Sequence, residues 1–537
     1  MTLPRPRVRY LSRPRRPRWN GRQIALRAAA VVLGVAAIAA GGWRLALYLV
    51  NDGDTCLNAG LSVVLRAGPA SECVGVTDGA FPFPFGDQAQ AAALHHVEGL
   101  IAAEDKKVRR ADPHYVSVVF LQPAPADADA ESFAQFTTQL EGAYTAQMAA
   151  NGPGDEGANI DFSGQKPLIQ VLIASSGVDA GQYPVTDQVI ASDVASQRVV
   201  AVDGIAVSLP GTIAEARDLA LTRKIPVFGS TITADDFSDV KDLVRVSASN
   251  RQQVGPLVAY VKAALRPRTA LLVEDTANDP YSQTISSEFL DTFPDKGHTL
   301  PVPQTYDSAL ADNPAGPGYA LSQIALDICA TRPDVVLFGG RGKDLATLVG
   351  DLGCKATFVT GDDAINMPLA GNDPVLRALA GGAAVYYAGE FSPGEWATRT
   401  ARVPILAGKN VYPAAVAGYQ AFRAEFSRRF PQAAPDANVA IAYDSVLASV
   451  PAIRLAKGGQ DPPPGAVAGE FSNLRGPRAV YGASGPIQFS GFYGQAGKGA
   501  PQGSNPLEKL VPILVISGHG TTSFKALEQV PALAIGG

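Results

Sequence analysis

Reactive side chains are scarce in this chain of 537 residues, which holds five His, four Cys, three Trp and three Met. The histidines, His95, His96, His114, His298 and His519, form no HExxH pair and have no cysteine pair beside them, so zinc chemistry has no support. No CxxC and no GxSxG occurs. The GGRG at 339–342 lacks the third glycine of a dinucleotide loop, and no Walker lysine-serine pair follows it. Adjacent acids stand at Asp235 and Asp236 and at Asp362 and Asp363, but adjacency alone does not make an acid/base couple. An enzyme would need a mutually oriented nucleophile and base, so catalysis is the weaker expectation, and no metal or cofactor is expected. No internal repeat is evident.

Acidic residues are absent from the first 50 positions, which carry ten Arg and no Lys. Removing those ten charges from the overall −5 leaves about −15 on the remainder. So acidic a body argues against nucleic acid as a partner. The basic run is followed by the uncharged AAAVVLGVAAIAAGGW at 28–43, which is positive-inside polarity. Residues 24–50 suffice to cross about 30 Å of hydrocarbon, with Arg27 and Arg44 snorkelling to the two interfaces. The expectation is a cytoplasmic tail at 1–23, a single-pass anchor at 24–50 and an extracytoplasmic main domain. A cleaved signal peptide is the competing reading, because the unbroken apolar run is short and AIAA offers small residues near its end. A lipoprotein anchor is disfavoured, since NDGDT precedes Cys56.

In an oxidising compartment the simplest of three connectivities joins sequence neighbours, Cys56 with Cys73 and Cys329 with Cys354. Free buried thiols are the alternative. Residues 51–111, with the first cysteine pair, AFPFPFG and a helical segment from Gln88, read as a stalk or cap. From Tyr115 onward strands and helices alternate, the pattern of a parallel α/β sheet. One such set spans 112–249 and a second 250–389. Residues 390–537 are too few and too mixed for a core of their own and are expected to complete both lobes.

The order of VVAVDGIAVS, IPVFGSTIT, VRVSASNRQQVGPLVAYV, EDTANDPYSQTISSEF, RPDVVLFGG, FVTGDDAIN, AYDSVLASVPAI and GASGPIQF resembles the type I periplasmic binding proteins. It resembles especially the branched-chain amino acid receptors of ABC transporters and the related ligand-binding regions of animal receptors. The resemblance covers about residues 112–520. It implies two doubly wound α/β lobes with three interlobe crossings, closing on a small solute. Ser208, Thr212, Ser230, Thr231 and Thr233 match the family's carboxylate-binding loops, Tyr281 its covering aromatic, and Asp362 and Asp363 its acidic end, with Asp363 the better match for a ligand ammonium. Arg341 stands where those receptors tend to carry an aromatic, which suits an anionic ligand group and weakens a leucine-like ligand. For the hydroxyls the plain alternative is helix caps and turns, for Tyr281 packing, and for the acids solvated loops. The function expected is capture of a small polar, amino-acid-like solute for delivery to an ABC permease or a membrane signalling partner. The alternative is an envelope scaffold that keeps the fold without a ligand.

Overall fold

The computed structural model describes residues 55–530, apart from residues 60, 126–129, 154–158, 160, 311–315, 398–404, 407–408, 411, 457–460 and 492–502. The basic tail and the anchor inferred at 1–50 lie outside the described residues. Among those described, no helix is long and apolar enough to cross a membrane.

The strongest apolar runs become central strands, as sheets covered by helices on both faces require. The first sheet contains β1 (Thr55–Ala59), β2 (Ser62–Ala67), β3 (Glu72–Thr77), β4 (Val116–Ala124), β5 (Ile169–Val178), β6 (Val199–Asp203), β7 (Val227–Gly229) and β8 (Leu243–Arg245). Their spatial order is β1-β2-β3-β5-β4-β6-β7-β8, parallel from β5 through β8 and antiparallel across β1 to β3 and their junction with β5. This lobe carries α1 (Gln88–Ala111), α2 (Ala130–Asn151), α3 (Tyr183–Ser196) and α4 (Pro210–Arg217).

The second sheet begins with β9 (Ala270–Asp275), β10 (Gln304–Tyr306), β11 (Val335–Gly339), β12 (Thr357–Thr360) and β13 (Ala384–Ala388). Two short ribbons follow in the chain, β14 (Ile405–Leu406) with β15 (Lys409–Asn410) and β16 (Val480–Gly482) with β17 (Gly485–Ile487). Then β18 (Leu510–Ser517) and β19 (Thr521–Gln529) return to give the order β10-β9-β11-β12-β13-β18-β19. Helices α5 (Asn250–Ala264) and α6 (Pro280–Thr292) cover one face, and α7 (Pro317–Thr331), α8 (Gly342–Gly350) and α9 (Asp373–Ala380) the other, each over its own apolar cluster.

After β13 come α10 (Pro393–Ala397), α11 (Tyr412–Arg429), α12 (Ala437–Leu455) and α13 (Pro464–Ala468); of these, α11, α12 and α13 pack on the first lobe. Helix α12 is buried along nearly its whole length and lies tightly on α2. Gly142 permits that approach, because a Cβ there would come within 2.3 Å of the Val439 carbonyl oxygen.

Among the described residues three segments therefore cross between the lobes: residues 246–249, 389–392 and 503–509.

The stalk or cap expected over 51–111 is corrected for the described part of that segment. SVVLRA and ECVGVT each have an apolar face to bury, and the edge of β5 offers ladder hydrogen bonds, so β1 to β3 extend the first sheet. Leu94, Val97 and Ile101 of α1 belong to the same core.

The cysteines pair as sequence neighbours, Cys56 with Cys73 and Cys329 with Cys354, with Cα atoms 5.8 and 5.6 Å apart. They close loops of 17 and 25 residues. Removing either pair by Cys→Ala replacement is expected to cost about 3 kcal/mol, read as a lower denaturant midpoint. Midpoints unchanged within error would show that neither bridge constrains the unfolded chain.

Candidate ligand crevice

Both parallel cores have the order second-first-third-fourth-fifth, so connections leave in opposite directions between β4 and β6, and again between β9 and β11. Loops at the carboxyl ends of such strands diverge and leave a crevice. In the first lobe these loops bring residues 122–125 and 204–209, and in the second 276–279 and 340–341. Residues 122–125, Gln135 and Val207 face Arg341, Lys343 and Asn366 across an outer cavity of about 260 Å³. Beneath it lies an inner chamber of about 40 Å³, bordered by Thr231, Thr233, Tyr281, Asp362 and Glu390.

Arg341 closes the space between the lobes. Its Nε and Nη2 donate to the two oxygens of Asp279, each at 2.7 Å, and Nη2 also donates to the Ser208 carbonyl oxygen of the opposite lobe at 2.7 Å. The guanidinium carbon lies 4.6 Å from the centre of the Tyr281 ring. Nη1 approaches Asp363 Oδ1 at 3.6 Å, too far for a hydrogen bond. Burial works against charge on both partners. The Asp279 and Asp363 carboxylates outweigh it for Arg341, raising its pKa, and the guanidinium holds Asp279 below the usual carboxylate range.

The residues singled out in the sequence divide by what they touch. Thr212 Oγ1 donates to the Val207 carbonyl oxygen at 2.8 Å and accepts from Leu209 N at 2.9 Å, a local turn-and-cap role. Ser230 Oγ is turned to the Gly204 carbonyl oxygen at 2.8 Å, and Ser208 Oγ accepts from Ala234 N at 3.0 Å. Thr231 and Thr233 face the inner chamber. Tyr281, 1% exposed, presents a ring face to Arg341 and accepts from Asp363 N at its hydroxyl, 3.2 Å away.

Asp363 spends its oxygens on Gly342 N at 2.6 Å and Asn366 Nδ2 at 3.0 Å. In this arrangement it steadies the loops around Arg341, and each oxygen keeps acceptor capacity beyond these bonds. Asp362 lines the inner chamber, its Oδ1 buried and without a hydrogen-bond partner among the described residues.

Sequence reasoning passed over three residues here. Asp279 is the N-cap of α6 in DTANDPY, and its capping position hides its pairing with Arg341. Glu390 lies in AGEFSP on the second crossing, where no motif marks it. Val207 adopts φ 60°, a left-handed conformation that a β-branched residue rarely takes, and it lines both cavities. Strain of this kind gathers at ligand-clamping loops.

Burial, reinforced by the charge of Asp363, pushes Asp362 up to about 7. Burial also carries Glu141 to about 7 and Glu98 and Glu215 to about 8, elsewhere in the first lobe. An acid raised in the folded state contributes stability that is complete below its unfolded pKa, near about 4, and is lost as pH rises through the folded value. The melting temperature is therefore expected to be higher at about pH 5.5 than at about pH 8.5. The reverse order would mean that these carboxyls ionise normally.

The family profile described as periplasmic binding protein matches residues 178–500. The chain belongs to the periplasmic binding protein family. Members are substrate-binding proteins and not enzymes. Among solved structures, this periplasmic binding protein is similar to a leucine-binding protein from Thermotoga maritima, with 15% identity and a TM-score of 0.55 over 77% of this chain and 98% of that one. It is also similar to a branched-chain amino acid transporter substrate-binding protein from Streptococcus pneumoniae in complex with isoleucine, at 18% identity and a TM-score of 0.54 over 78% and 99%. An ABC transporter substrate-binding protein from Desulfitobacterium hafniense in complex with Leu matches at 14% identity and a TM-score of 0.52 over 76% and 100%. At such identities the likeness establishes the two-lobed type I fold. No curated protein matches the sequence significantly.

Proposed function

We propose that this periplasmic binding protein is tethered to the membrane by residues 24–50 and captures a small polar, amino-acid-like solute between its lobes outside the cytoplasm. It then presents that solute to an ABC permease or a membrane signalling partner. The observation that carries the reading is the meeting of both switch-point loop sets across one crevice lined with polar groups from each lobe. Two disulfides suit an oxidising compartment. The leucine and isoleucine held by structural relatives support an amino-acid-like ligand.

One observation favours a second reading, an envelope scaffold without a ligand. Arg341 bridges the lobes through the Ser208 carbonyl oxygen, and the inner chamber of about 40 Å³ is small for a solute until they part. Thermal shifts of the full chain with amino acids, short peptides, sugars and nucleosides separate the two. A ligand at about 100 times its dissociation constant adds roughly 2.7 kcal/mol of stability. A shift confined to amino acids is the expected result, and silence across all four classes would favour the scaffold.

A further inference from the structure

Eight large apolar side chains are exposed among the described residues, and four of them fall within residues 302–326: Val302 at 87%, Tyr319 at 63%, Leu326 at 62% and Leu310 at 47%. Tyr319 and Leu326 stand two turns apart on one face of α7, and Gln323 and Ala330 continue the same exposed stripe. Leu321, Ile324, Ala325 and Ile328 fill the opposite face and pack into the second lobe. A helix that is apolar all round belongs in a buried setting, yet among the described residues α7 is covered on its inner face only.

Val302 leads into β10 and Leu310 follows it, so they flank the carboxyl and amino halves of α7, which runs back along that strand. Gln304 Nε2 of β10 donates to Asp327 Oδ2 of α7 at 3.3 Å, which fixes strand and helix in one surface. The four side chains put roughly 400–500 Å² of apolar surface into water, near the top of what a monomer exposes as one patch and over half of the ~800 Å² that each partner buries in a standard interface.

Charge narrows what can cover this face. A bilayer surface with anionic lipids calls for lysine or arginine among the apolar groups, and the stripe has neither. The chain beyond residue 50 carries about −15, so two copies repel except where a face is nearly uncharged, and Asp327 is the one charged side chain of α7. The first turn of α7 has no acidic residue, and Gly316 gives it no side-chain cap, so the partial positive charge of the helix start is open. In an antiparallel pair about a twofold axis midway between Tyr319 and Leu326, each Tyr319 meets the other copy's Leu326. Each Asp327 then meets the other copy's Gly318, in that first turn. The stripe is its own complement.

We propose that the outer face of α7, with Val302 and Leu310 beside it, joins two copies of this chain through their second lobes. None of these residues lines the crevice, so each copy keeps its own opening. The Cys329–Cys354 bridge and the Ser322 hydrogen bond to Asp351 tie α7 to the end of α8, which holds the face in shape before the copies meet.

The test is sedimentation of the full chain in detergent micelles over a range of concentrations. The wild type is expected to be a dimer, and Leu326→Asp should raise its dissociation constant about tenfold or more by setting an unpaired carboxylate in the contact. Because Leu326 is exposed, the circular dichroism spectrum of that variant should not change. All four native cysteines are bridged, so an added thiol reports alone. Gln323→Cys, at the axis, should link the copies on mild oxidation, and Leu290→Cys, exposed on α6, should not. A monomeric wild type would mean that another protein or the bilayer covers α7, and would overturn the proposal. A dimer that Leu326→Asp leaves intact, or that Gln323→Cys links no better than Leu290→Cys, would overturn it as well, since its contact then lies elsewhere.

Discussion

Replacing Arg341 with methionine is expected to cost about 3 kcal/mol of stability and to part the lobes. The side chain is 15% exposed and Asp279 14%, so little water is at hand to replace the lost pairing. Asp279 would lose both guanidinium hydrogen bonds, Ser208 its partner across the crevice, and Tyr281 the cation over its ring. Arg341→Lys should rescue little, because an ammonium cannot make the two-pronged contact with Asp279 while reaching Ser208. Adding Asp279→Asn to Arg341→Met should recover part of the stability, since the stranded carboxylate is then gone. Urea unfolding measures the first effect, and the radius of gyration by solution scattering measures the second. A variant as stable and as compact as the wild type would show that Arg341 neither pairs nor latches.

Arg245 is expected to be still less replaceable. It is fully buried at the end of β8, where the first crossing begins. Its guanidinium donates to the carbonyl oxygens of Ile232 and Ala234, both at 2.6 Å, to Ser238 Oγ at 2.9 Å, and twice to Asn505 Oδ1 at 2.9 and 2.6 Å. Its own N–H donates to the Ser504 carbonyl oxygen at 2.9 Å. One side chain thus ties the first crossing, the third crossing and the Thr231 loop together. Burial draws its pKa down to about 10, which still leaves it charged at neutral pH. Arg245→Met keeps much of the volume but strands several acceptors, at an expected cost of about 4 kcal/mol. Denaturant unfolding checks this, and hydrogen exchange should quicken at residues 503–509. A loss below about 1 kcal/mol would mean that water replaces the guanidinium at this junction.

The fold was legible where apolar runs alternate with amphipathic helices, because each run is a strand buried on both faces. β4, β5, β9, β11 and β18 all fall where VSVVFL, IQVLIA, ALLVED, VVLFG and LVPILVIS place them. The antiparallel strands β1 to β3 were not legible. They are short, and they find their partner on β5 about a hundred residues later. Loop positions around the crevice could be read from strand ends, whereas hydroxyl partners could not. Thr212 and Thr231 look equivalent in sequence, yet one closes its own turn and the other faces the chamber. Asp279 and Arg341, 62 residues apart, meet only because β9 and β11 are neighbours at the switch point. The tail and anchor inferred for 1–50 fall outside the described residues and rest on charge and hydropathy alone.

Solute capture between the lobes is tested most directly by isothermal titration of the common amino acids into the full chain and into Thr231→Trp, whose indole would fill the inner chamber. The account predicts one-to-one binding of at least one amino acid by the wild type, and its loss in Thr231→Trp with the circular dichroism spectrum unchanged. Wild-type affinity in the tryptophan variant, or no binding of any amino acid by the wild type, would contradict it.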